Sequence, residues 1–156
     1  MTLITIREQG QTAEGFQAEL VFENGGRYSI AISNPLEPQQ ERELEWYFEG
    51  WIRRPYQDEA IAARAAKSIE DCGQVLFEQV FKADFDAFAE YRDLRGNLGE
   101  TRWVIESKTP EFQALHWEAL RDPDLPRPIS VAASMTRRLV KPVAVKAKVK
   151  ESPVIN

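Results

Sequence analysis

Residues 16–23, FQAELVFE, alternate: Phe16, Ala18, Leu20 and Phe22 fall on one side, and Gln17, Glu19 and Glu23 on the other, with Val21 the one apolar intruder. Residues 27–33, RYSIAIS, alternate again, with Tyr28, Ile30 and Ile32 in phase. A period of two is the strand signature, because successive side chains leave a strand on opposite faces. Asn24-Gly25-Gly26 between the two runs is a hairpin signal. The pattern also sets the register. A two-residue turn would place Phe22 opposite Arg27 and mix apolar with polar side chains on one face. A three-residue loop of residues 24–26 sets Phe22 against Tyr28, Leu20 against Ile30 and Ala18 against Ile32. It also pairs Glu23 with Arg27, and it calls for a left-handed glycine at a bulge. Leu3–Ile6 reads as one more short strand.

After the break at Asn34-Pro35 the period changes. In QQERELEWYFEGWIRR, Leu44, Phe48, Trp51 and Ile52 fall at helical spacing on one stripe, while Trp46 projects away from it. Pro55 stops that helix, since the residue before proline is pushed out of helical geometry. Asp58 is the expected N-cap of the next helix. Its stripe is Ile61, Ala65, Ile69, Cys72, Leu76 and Val80. Gly73 interrupts it, which costs about 1 kcal/mol against alanine and points to close packing by a neighbour. Asp84 is the expected cap of a further helix carrying Phe85, Phe88 and Tyr91 and ending near Gly96-Asn97. The pattern does not separate one bent helix from two.

Residues 101–107, TRWVIES, read as a strand with Trp103 and Ile105 on one face and Val104 on the other, the pattern of a central strand buried on both sides. Pro110 opens one to three helical turns that end at Asp122-Pro123. A short strand is expected within 129–140. The expected class is therefore α+β: an N-terminal antiparallel hairpin or meander, two to three amphipathic helices and a strand–helix–strand end. Residues 1–140 form the expected single domain. Residues 141–156 are a basic linker or an edge strand, alternating valine with Lys146, Lys148 and Lys150.

A chain of 156 residues buries roughly 70% of the surface its unfolded form exposes, enough for a core without metal or disulfide. No apolar run approaches the ~20 residues of a membrane helix, and no basic-then-apolar leader opens the sequence. One cysteine allows no internal disulfide, so a cytoplasmic setting is expected. The net charge of −5 hides a split: residues 1–136 hold 14 Lys and Arg against 24 Asp and Glu, whereas 137–156 hold six basic residues against Glu151. An acidic body repels phosphate, so neither nucleic acid nor membrane is an expected partner. The basic tail offers Lys146, Lys148 and Lys150 as possible contacts to an acidic protein.

Chemistry-bearing groups are few. Cys72 and His116 are the only thiol and the only imidazole. A cysteine nucleophile needs a base and a setting that favours thiolate, but Cys72 lies on the apolar stripe of a helix, where cysteines are usually inert. The acidic pairs Asp84/Asp86 and Asp122/Asp124 lack the spacing of a calcium loop and read as a cap and a turn. Gly96-x-x-Gly99 precedes no GK[ST], so it is not a phosphate loop. No catalytic residue, metal ligand or cofactor site is expected.

Residues 114–140, ALHWEALRDPDLPRPISVAASMTRRLV, resemble a segment of the CHAT family, caspase-like domains associated with tetratricopeptide repeats. The residues that carry the resemblance are Leu115, Trp117, Glu118, Leu120, Asp122 and Pro123, followed by Arg137 and Arg138. The strand at 103–106, the helices at 44–54 and 60–80, and the final SPVIN, similar to the first strand of the family's protease half, extend it over about residues 40–156. The resemblance implies part of a caspase-like α/β fold and a cysteine peptidase relative. The family's peptidases carry a His-Gly segment and a later cysteine segment, and neither motif occurs here. His116 stands where the family often has proline and inherits no catalytic role. The implied function is a non-catalytic interaction or regulatory module, resembling the upstream half of such a protein, that docks on a protease half or on a copy of itself. The rivals are a cysteine peptidase, truncated or using Cys72 and His116, and a small immunity or regulatory partner outside the family.

Overall fold

A computed structural model describes residues 1–51 and 59–140. Strands β1 (Thr2–Gln11), β2 (Phe16–Phe22) and β3 (Arg27–Ile32) form an antiparallel meander. Helices α1 (Pro38–Trp46), α2 (Glu59–Phe81) and α3 (Phe85–Arg95) follow. Then come β4 (Thr101–Ser107), the single turn α4 (Pro110–Gln113), a 3-10 turn at Trp117–Ala119, the single turn α5 (Ile129–Ala132) and β5 (Ser134–Leu139). The sheet order is β3-β2-β1-β4-β5, with β4 parallel to both β1 and β5. The fold is α+β, as the pattern predicts.

Both parallel connections, β1 to β4 and β4 to β5, step in the same direction across the sheet. Strand–crossover–strand units are right-handed almost without exception, so both crossovers pass over the same face. That face carries Ile4, Ile6, Leu20, Ile30, Trp103 and Ile105, all buried in one core with Leu76, Phe77, Val80 and Phe81 of α2. Tyr91 of α3 sits among Phe77, Phe81 and Trp103 at ring-centroid distances of 5.0, 4.7 and 6.4 Å. Such aromatic pairs contribute about 0.5–1.5 kcal/mol each beyond the area they bury.

The opposite face is different. Arg102 is exposed and Val104 and Glu106 are half-buried, so β4, although interior to the sheet, is not buried on both sides. The apolar Val104 reads like the second face of a central strand, but among the described residues no helix covers it.

The hairpin keeps the predicted face and loses the predicted register. Leu20 opposes Tyr28, Ala18 opposes Ile30 and Phe16 opposes Ile32. Strand β3 has slid by two residues, which preserves the apolar face because the period is two. The loop is residues 23–25, closed by Phe22 N–H donating to Gly26 O at 3.1 Å and Gly25 N–H donating to Phe22 O at 3.0 Å. No described glycine has positive φ, so the left-handed bulge is absent. The slide has visible causes. The Glu23 carboxylate accepts from Leu3 N–H at 2.9 Å, and the Glu90 carboxylate on α3 accepts from Gly26 N–H and from the Tyr28 hydroxyl. Arg27 consequently approaches Glu19, 3.9 Å away, and not Glu23.

Asp84 Oδ1 accepts from the N–H groups of Asp86 and Ala87, so it caps α3 as predicted and separates α3 from α2. Phe85, in the first turn of α3, is 85% exposed, off the seam formed by Ala87 and Tyr91. Leu44 is buried, but Phe48 is exposed and rests against Tyr47. The chain widens at Tyr47–Trp51 into a π turn. There the hydrogen bond reaches back five residues and each residue advances less around the axis, so Phe48 leaves the Leu44 stripe. Ile52, Pro55 and Asp58 lie outside the described residues, as do 141–156.

Candidate functional site

The residues of the Trp-Glu…Asp-Pro segment converge as a corner between α2, α3 and the sheet. Trp117 and Leu120 are fully buried, Leu115 nearly so, and Trp117 Nε1–H donates to Phe112 O at 2.9 Å. Leu120 O accepts from Ile129 N–H at 2.9 Å, which ties the start of α5 to the corner. The corner lies directly on Gly73. A Cβ at that position would stand 2.7 Å from the Ala119 carbonyl carbon, and Arg121 N–H donates to Gly73 O at 3.1 Å. The glycine inside the α2 stripe is therefore the close approach its position predicts.

Asp122 is buried at 1% exposure. Its carboxylate accepts from the Tyr91 hydroxyl at 2.8 Å, Arg95 at 3.1 Å and Asp124 N–H at 2.9 Å. Burial pushes its carboxyl pKa up, and the bonds from Asp124, Tyr91 and Arg95 outweigh that and hold it below the ordinary value. The Tyr91 hydroxyl moves the opposite way, raised first by burial and then by its bond to Asp122. Pro123 is exposed at the turn. Glu118 is also outward, paired with Arg137, whose Nη1 donates to Gln113 O at 2.8 Å. Of the six motif residues, four build the interior of the corner and two face solvent.

The surroundings of the thiol disfavour thiolate. Cys72 is 1% exposed, and burial, then the Glu41 charge, pushes its pKa up to about 11. A nucleophilic thiolate needs the reverse shift. Among the described residues no hydrogen bond joins Cys72 to His116. The imidazole Nε2 contacts Glu41 Oε1 at 3.0 Å, and Glu41 also accepts from Asn34 at 2.7 Å. This pair borders a shallow cavity of about 310 Å³ with Leu44 and Phe48, and Cys72 is not part of its wall. Among the described residues no group of three or more His, Cys, Asp or Glu has the geometry of a metal site.

The chain matches no family model, no curated protein and no solved structure.

A second buried carboxylate has no counterpart in the pattern reading. Glu8, at 1% exposure, accepts from Lys108 N–H at 2.7 Å, Thr109 N–H at 2.9 Å and Thr109 Oγ1 at 3.0 Å, and so anchors the turn that leaves β4. The signal available was its phase: Ile4, Ile6 and Glu8 share one face. Beside it Ser107 Oγ is buried without a hydrogen-bond partner, against a cavity of about 100 Å³.

The open face carries the remaining organised chemistry. Arg7 bonds Glu106 at 2.7 Å and Glu19 at 3.3 Å, and Arg138 bonds the other oxygen of Glu106. Arg7 is directly opposite Glu19 on β2 and Glu106 on β4, and Glu106 is opposite Arg138 on β5. With Arg27 near Glu19, alternating charges cross all five strands. The Arg7 side-chain bond to Glu106 raises the guanidinium's pKa. Burial pushes the Glu106 carboxyl up, but the two arginines bring it below its ordinary value. Lys146, Lys148 and Lys150 lie outside the described residues. No described helix is long and apolar enough to cross a membrane.

Proposed function

We propose that this chain is a non-catalytic protein-interaction module, corresponding to the upstream portion of a caspase-like protein of the CHAT family. It docks on a protease half of that family or on a second copy of itself. The observation that carries this reading is the one-sided sheet: the buried core with α2 lies on one face, the other face carries half-exposed charge, and no described strand pairs with the outer edges of β3 and β5. A sheet buries surface on both sides only when a second layer is supplied, and a binding partner supplies one. The corner at Leu115, Trp117, Leu120 and Asp122 supports the same reading, because its side chains are spent on packing and on internal hydrogen bonds. The setting proposed is cytoplasmic, in keeping with a single buried, unpaired cysteine.

Light scattering on the chain alone and mixed with a separately expressed caspase-like half tests the proposal. A dimer or a one-to-one complex supports it. A strict monomer that ignores the protease half removes it. Thiol modification separates the module from an enzyme. Reaction of Cys72 only at the rate of global unfolding fits a packed side chain, and fast labelling of the native protein would favour chemistry.

A further inference from the structure

We infer that the open face of the sheet docks an acidic, apolar-striped helix of a partner protein. This rests on the interaction-module reading and adds the surface and the chemistry of the occupant. Strands β1, β4 and β5 are parallel, and parallel strands are ordinarily covered on both faces because their crossover helices supply both layers. Here the topology sends both crossovers to one side. What remains on the other side is the second face of the five-stranded sheet. Val21, Thr5, Val104 and Thr136 stand directly opposite one another across four strands. Thr5, between Val21 and Val104, is 6% exposed.

Charge selects the occupant. The face carries Arg7, Arg27, Arg102 and Arg138 against Glu19 and Glu106, a surplus of two positive charges on a chain whose net charge is −5. The four cations on the strands are arginine, the basic residue enriched at protein interfaces, and Lys108, beside Arg7 and Glu106 just past β4, adds a fifth positive charge. A second copy presents the same positive surplus and so complements this face less well than an acidic partner does. An added strand would use an edge and leave this face as it is. Nucleic acid is a poorer match, since the chain as a whole carries a net charge of −5 and the described strands place no aromatic ring on this face on which a base could stack. A helix with an apolar stripe over the Thr5–Val104 row, flanked by carboxylates that meet Arg102 and Arg138, fits both features.

The test uses the full chain, isotopically labelled for amide NMR. The probe is a synthetic helical peptide of about 18 residues, five turns, with a leucine stripe flanked by glutamates, and a twin with lysine at each glutamate. The glutamate peptide is expected to move the Thr5, Val104 and Thr136 signals while the lysine twin does not. Arg102→Glu alone should weaken binding several-fold, and Arg102→Glu with Arg138→Glu on the order of tenfold, with the circular dichroism spectrum unchanged. Equal binding of the two peptides, shifts confined to the helices or to the outer edges of β3 and β5, or stronger displacement of the same signals by a DNA duplex overturns the inference. If a caspase-like half binds through the β5 edge, this inference fails and the module reading stands. If that half does not bind and the chain stays monomeric, the module reading itself fails.

Discussion

The two sides of the sheet solve the same problem in opposite ways. On the covered side polar groups are few, buried and individually satisfied. Asp122 and Glu8 are each 1% exposed and each held by three donors. On the open side the charges are numerous, with arginines largely in solvent over partly covered carboxylates, and they satisfy one another in a row: Arg27, Glu19, Arg7, Glu106, Arg138. An unmade bond in the first setting carries the full desolvation penalty of a buried group. In the second setting water replaces much of what is lost. Equal-looking polar contacts should therefore differ several-fold in what their removal costs.

The largest effect is expected where α2 meets the corner. Gly73→Ala forces a methyl group into the Ala119 peptide, and backbone cannot rotate aside as a side chain can. A loss of about 3 kcal/mol is expected by urea denaturation, the upper end for overpacking. A loss under about 0.5 kcal/mol, the range of an ordinary surface change, would show that the corner can retreat from α2 and is not a rigid scaffold.

Next is Asp122→Ala, which strands the Tyr91 hydroxyl and deprives Arg95 of its buried acceptor. Removing one member of a buried pair costs about 3–5 kcal/mol, and the partial exposure of Arg95 places this one at about 2–3 kcal/mol. The same site sets a pH dependence. The folded-state pKa of Asp122 is depressed, so its contribution is complete above the unfolded value of about 4 and is lost as pH falls through the lower folded value. The acid limb of the stability curve should flatten in Asp122→Asn. An unchanged limb would assign acid unfolding to other carboxylates, with Glu41 and Glu106, both also depressed, the next to test.

The smallest effect belongs to the open face. Glu106→Gln weakens two cross-strand pairs, with Arg7 and Arg138. Exposed pairs contribute roughly 0.2–1 kcal/mol each, so a total near 1 kcal/mol is expected at low salt and less at high salt. A salt-independent loss of about 3 kcal/mol, the size of a broken buried pair, would erase the contrast between the two sides.

What the sequence made legible was local or periodic. The Asp84 cap, the hairpin's apolar face, the Trp103–Ile105 face of β4 and the close approach at Gly73 each follow from neighbours within a few residues. What it hid depended on distant partners. The donors to Glu8 lie about 100 residues away in sequence, and Tyr91 and Asp122 are 31 apart. The hairpin register was decided by Glu90, on a helix the strands cannot foresee. The exposure of Phe48 follows from a π turn, which leaves the apolar spacing intact while changing where it points. The open face was hidden in a further way. Val104 signals burial on a second side, and only the folded sheet shows it half-buried while Trp103 and Ile105 take the core side.

Amide protection across β1, β4 and β5, read on the chain alone and in a mixture with a caspase-like half, bears most directly on the division into scaffold and working surface. Slowed exchange at Thr5, Val104 and Thr136 in the mixture, with Trp117 and Asp122 unchanged, is the predicted result. Protection gathered at the Trp117–Asp122 corner, or none anywhere, would contradict it.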